Sequence, residues 1–178
     1  FDYTRTKEGV KPMLVIDHLP DQDYYPPTNP SSEFVHSACK MAGVPYAFTS
    51  ALRCEIDYGL KGKTLANCYH QCRGWLWQDI YNLITTAPGL GCIVCMGKVA
   101  MDAVIPESSL TVAAASKGVQ TLKYQMPEGS IVEVPVLVTN HPDVHFQEEG
   151  GRDLRNEYVD VFGLAARICL GEYKKPEF

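Results

Sequence analysis

The amino-acid sequence predicts an α/β domain: a three-layer sandwich with a mainly parallel, four-stranded central sheet and helices on both faces. Three observations carry this expectation. Short apolar runs rich in β-branched residues alternate along the chain with longer stretches of helical periodicity, the order that builds parallel sheets. The runs Met13–Asp17 (MLVID), apolar up to its closing acid, and Gly91–Met96 read as buried strands do. The 178 residues, 46% hydrophobic and 21% charged, suffice for one well-buried core and leave little room for a second domain. The whole of 1–178 is therefore read as one domain, with 1–12 as a polar lead-in arm.

Each element follows in order. Met13–Asp17 lies between Pro12 and Pro20 and reads as the first strand. The stretch from His18 to Pro30 is too rich in proline and aspartate for regular structure. Asn29-Pro30-Ser31-Ser32 offers a helix cap with proline in the first turn. That helix runs to Ala42 and stops at Gly43. Tyr46–Leu52 is the second strand. Thr64–Ile84 is a helix whose stripe is Cys72, Leu76, Ile80 and Leu83, with Trp75 beside them. Gly91–Met96 is the third strand, and Gly97 turns it into a short helix, Lys98–Val104. Gln120–Met126 and Ile131–Thr139 flank Pro127-Glu128-Gly129-Ser130, a hairpin signal, and the second arm enters the sheet centre as Val134–Val138. A last helix covers Arg152–Leu170, with Leu154, Tyr158, Val161, Ala165 and Ile168 inward. In such folds chemistry sits at the carboxyl ends of the strands. Asp17–Asp23, Leu52–Cys54, Met96-Gly97 and Thr139–Phe146 should converge in one cleft.

A formal net charge of −5 does not advertise a nucleic-acid coat, though an enzyme acting on one base needs only a local groove. No run approaches a membrane span, and no signal-peptide pattern opens the chain. It opens on Phe1 and not on Met, as a processed product or a piece of a longer polypeptide would. Seven cysteines, an odd number, argue against a complete disulfide framework and for an intracellular setting, cytoplasm or nucleoid.

Five segments in order resemble the uracil-DNA glycosylase superfamily, in particular its iron–sulfur members. Thr139-Asn140-His141-Pro142-Asp143 resembles the T-x-H-P-S loop. Phe48–Cys54 is similar to the strand ending in N-x-x-K-C-R-P. Cys72-x-x-x-Leu76-x-x-x-Ile80 matches the C-x-x-x-L-x-x-x-I helix, Cys92–Ala100 the I-V-x-L-G-x-x-A strand and helix, and Ser109–Gly118 the S-I-T…R-G segment. No single motif is specific; order and spacing carry the resemblance. The sequence also departs from the family. Asp17-His18-Leu19-Pro20-Asp21 keeps only the proline of G-E-A-P-G. Tyr24–Pro30 has no Phe where P-F-V-G supplies the stacking ring. The base-reading Asn falls at Ser50, and the Ser of H-P-S is Asp143.

The resemblance implies a pocket for a flipped base. There His141 would stabilise the departing base's oxyanion, and Asp17 or Asp21 would orient the attacking water. Tyr24 and Tyr25 would replace the missing ring as stacking platforms. Ser50, Asn140, Pro142 and Asp143 would line the base and DNA contacts. Serine offers fewer fixed hydrogen bonds than an Asn amide, and Asp143 would repel phosphate, so base excision is expected to be reduced or lost.

Cys54 and Cys72 match two of the family's four cluster ligands, but no cysteine precedes Cys39. No cofactor is expected; a four-iron–four-sulfur cluster would need further ligands, which Cys68 and His70 could supply. Cys92 and Cys95, three apart on a strand, should point to opposite faces and be core. The expected partners are DNA and other replication proteins or domains of the same polypeptide, as in glycosylase-like domains fused to viral polymerases, and no membrane. An active glycosylase and a pure protein-interaction module are the alternatives. A phosphate-binding α/β protein would want glycines where Leu19-Pro20-Asp21-Gln22 stands.

Overall fold

The computed structural model describes residues 9–18, 29–53, 63–147 and 149–174, without the side chains of 63–66 and 69. Its central sheet has five strands: β1 (Met13–Asp17), β2 (Tyr46–Ser50), β3 (Cys92–Met96), β4 (Gln120–Gln125) and β5 (Ile131–Thr139). The spatial order is β2-β1-β3-β5-β4. The first four strands of that order run parallel, and β4 pairs antiparallel with β5.

The expectation of four strands is thus corrected to five. The first arm of the hairpin joins the sheet as an edge strand. Its alternation explains why: Leu122 and Tyr124 are buried, while Lys123 and Gln125 between and beyond them are exposed. An exposed Lys on an edge strand also discourages pairing with a further chain.

Side-chain alternation divides the core in two. Met13 and Val15 of β1, with Cys92, Val94 and Met96 of β3, face α1 (Pro30–Ala42) and α6 (Arg155–Cys169). Leu14, Ile16, Ile93 and Cys95 belong to the other cluster, with α2 (Lys63–Thr85) and α3 (Gly97–Val104). Cys92 and Cys95 are fully buried on opposite faces, as their spacing predicts.

Local signals set the helix ends. Asn29 accepts the backbone N–H of Ser32 at 2.8 Å, and the Ser32 hydroxyl returns to the Asn29 N–H, a complete capping box. Gly43 ends α1 in the left-handed region, with φ 67°. The stripe Cys72, Leu76, Ile80, Leu83 of α2 is buried. Trp75 is not: it is 63% exposed, with the Arg53 guanidinium 6.0 Å from its ring centroid. Two short helices, α4 (Val112–Ala115) and α5 (Asp143–Phe146), complete the described elements. Among the described residues, no helix is long and apolar enough to cross a membrane.

Candidate functional site

The four parallel strands bring their carboxyl ends to one edge of the sheet. Asp17 closes β1 beside Ser50 of β2, and Met96 closes β3 beside Thr139 of β5. By alternation these residues share the face covered by α1 and α6. Asp17 is 4% exposed, an acid at the rim of an apolar core.

The strand order creates a gap that the chain must cross. β3 lies between β1 and β5, so their ends are two strand spacings, about 10 Å, apart. The loop after β5 spans it over the end of β3, where Gly97 stands with φ 86°. A Cβ at Gly97 would lie 3.3 Å from the His141 Cβ. The missing side chain lets His141 lean across and reach β1.

There His141 Nε2 lies 2.8 Å from Asp17 Oδ1. His18, the next residue along from Asp17, brings its Nδ1 to 2.8 Å from the same oxygen and 2.9 Å from His141 Nε2. The His18 backbone N–H also donates to Asp17 Oδ1, at 2.5 Å. The two rings meet edge-on, at 79° and 4.4 Å between centroids.

The outer side of His141 is held by α5. Its Nδ1 accepts the Asp143 backbone N–H at 3.2 Å and lies 3.4 Å from Asp143 Oδ2. Ser31 at the start of α1 donates to Asp143 Oδ1 at 2.8 Å.

Beneath this loop, Glu157 in the first turn of α6 gathers donors from the end of β5. Its carboxylate accepts the Thr139 hydroxyl at 2.8 Å, the Asn140 backbone N–H at 2.8 Å and the Asn140 side-chain amide at 2.9 Å. Arg152 adds an ion pair at 2.9 Å. Burial pushes Glu157 up, but these hydrogen bonds and the Arg152 charge outweigh it and hold the carboxyl below its ordinary range. On the other side of the same peptide, the Tyr158 hydroxyl donates to the Asn140 carbonyl at 2.9 Å. Burial, then the charges of Asp17 and Glu157, push the Tyr158 phenol well up, so it stays a donor. Glu157 and Tyr158 are positioning residues: they fix the peptide that presents His141.

Of the residues singled out in the sequence, the fold unites Asp17 and His141 and sets Asp143 against His141. Ser50 is buried and in register with Asp17. The Asn140 amide is turned to Glu157, away from the histidines, and Pro142 is buried. Asp21, Tyr24, Tyr25 and Cys54 lie outside the described residues. Cys72 is buried on α2, and its sulfur accepts the Arg53 N–H at 3.3 Å. Cys68 and His70 lie on the same helix.

Sequence reasoning missed His18 and Glu157. A signal existed for both: His18 follows an acid at the end of a central strand, and Glu157 is an acid in the first turn of a helix behind that edge.

A separate cavity of about 330 Å³ lies between α2, the end of α3 and the edge strand β4, lined by Arg73, Trp77, Ile105 and Lys123 among others. It shares no residue with the histidine cluster. Arg73 lies over the Trp77 ring, whose buried Nε1 has no hydrogen-bond partner among the described residues. The chain was compared with protein-family models and with curated proteins, and it matches none of them.

Proposed function

We propose that this chain is a uracil-DNA-glycosylase-like domain that contacts DNA in replication or repair, with base excision reduced or lost. One observation carries the reading. Asp17 and His141, which the sequence resemblance puts in one base pocket from opposite parts of the chain, lie 2.8 Å apart at the carboxyl edge of the sheet. The three-layer arrangement belongs to the same reading, and the division of the core into two clusters supports it.

The surroundings support weak excision. An oxyanion donor must aim its N–H at the position where charge develops. The His141 Nε2 faces Asp17 and His18. Ser50 is short and 8% exposed, a poor reader of a base edge. Asp143 stands 64% exposed beside the ring and would oppose a phosphate.

An active glycosylase is the second reading, and the same contact favours it. A carboxylate that orients an imidazole makes a base able to take a proton from water. Both readings are tested by incubating the protein with single- and double-stranded oligonucleotides bearing one uracil, cleaving abasic sites with alkali, and measuring retention of the same DNA at low salt. Retention without cleavage is the expected outcome. Cleavage that disappears in His141→Ala would establish the active enzyme. Negligible DNA affinity even at low salt would reject both and leave a protein-contact module.

A further inference from the structure

The Asp17–His18–His141 contacts form a closed triangle, with edges of 2.8, 2.8 and 2.9 Å. A carboxylate oxygen only accepts, and each nitrogen of a neutral imidazole carries either a proton or a lone pair. If both facing nitrogens are protonated, both donate to Asp17 and two N–H groups confront each other along the third edge. If one is protonated, its proton reaches two corners at most and lone pairs oppose along the remaining edge. With Asp17 ionised, no placement of protons on the two rings makes all three edges attractive. A cation seated over the triangle satisfies all three corners, because it draws a lone pair from each.

We propose that Asp17, His18 and His141 bind a divalent transition-metal ion. The lengths of the edges suit a particular geometry. With bonds of about 2.1 Å, edges of this size subtend about 85° at the metal, close to an octahedral face; a tetrahedral site would hold its donors about 3.4 Å apart. Two imidazoles and one carboxylate on one face form a ligand set used by first-row divalent metals, and nitrogen donors favour these over magnesium or calcium. The side chains of Asp17, His18 and His141 are 6%, 27% and 18% exposed, so the charged corner is buried and the imidazoles border solvent.

An outer partner is in place. Once His141 Nε2 gives its lone pair to the metal, the proton moves to Nδ1. There the Asp143 carboxylate, 3.4 Å away and itself held by Ser31, receives it as a hydrogen bond, which replaces the one that Nδ1 accepts from the Asp143 backbone N–H in this structure. The rigid frame is the same one that crosses β3 at Gly97. This inference goes beyond the DNA-contacting reading and does not depend on it.

The test uses the full chain, stripped with a chelator and free of DNA. Cobalt(II) is titrated and followed by visible absorption, and zinc(II) by calorimetry. The expected result is one saturable equivalent and the weak visible band of six-coordinate cobalt. His18→Ala and His141→Ala should each weaken binding at least tenfold. Asp143→Asn should weaken it about tenfold, through the outer hydrogen bond. Asp102→Asn, on a surface ion pair of α3, should change nothing. Circular dichroism checks each variant; should His141→Ala fail to fold, His18→Ala, whose ring is the most exposed of the three, carries the test. No saturable binding by the unmodified chain, undiminished binding by His18→Ala, or an intense thiolate–cobalt band would overturn the proposal. Because DNA is absent, such a failure leaves the DNA reading standing. Loss of DNA retention with metal binding intact would reject only that reading.

Discussion

Gly97 decides whether His141 reaches β1. Its φ of 86° lies in the left-handed region, and a Cβ there would press on His141 at 3.3 Å. Gly97→Ala therefore meets two penalties at one position: a backbone cost of about 1–2 kcal/mol and a displaced ring. The expected outcome is a lower urea midpoint with an unchanged m-value, together with a shifted His141 imidazole resonance. An unshifted resonance would show that the ring does not depend on this close approach. At this scale the sequence was partly legible. Asp17 and His141 could be singled out because each follows an apolar strand. His18 does not stand out in the sequence because its partner His141, 123 residues away, becomes a neighbour only through the strand order. The Asn140 amide illustrates the converse: its place in the motif suggests a base contact, but Glu157 competes for it from a helix that the motif does not include.

At the scale of elements, the junction of β5 with α6 holds the site together through one carboxylate. Glu157 is ionised more readily in the folded chain than in an unfolded one, because its donors and Arg152 favour the charged form. A lowered folded value means that its contribution is complete above the ordinary glutamate range and is lost as pH falls through the lowered value. Glu157→Gln should cost about 1–2 kcal/mol at neutral pH and remove part of the loss of stability on acidification. Urea unfolding of both proteins from neutral to acid pH checks this; parallel curves would contradict it. Helix α1 offers a simpler case. Asn29→Ala removes both the side-chain acceptor and the capping box, and should lower stability by about 1 kcal/mol in the same assay. This cap and the Gly43 stop were legible because they are local. The hairpin was legible too, from its turn. That its first arm would extend the sheet was not, because pairing to β5 and cover from Trp77 over Tyr124 are tertiary facts.

For the whole molecule, parallel alternation from β1 to α6 is what makes one edge of the sheet a site. Period-two apolar residues bury both faces, so polar groups such as Asp17 and Thr139 collect where the strands end. The alternation of elements was readable from composition and period; the order β2-β1-β3-β5-β4, which sets Asp17 and His141 two strands apart, was not. The central claim is that this edge is where DNA is contacted. Backbone hydrogen exchange, with and without a single-stranded oligonucleotide at low salt, tests it most directly. Protection gathered at His18, Gly97 and residues 140–146 is the predicted result. Protection confined to the edge strand β4 and the cavity beside Trp77, or none anywhere, would contradict it.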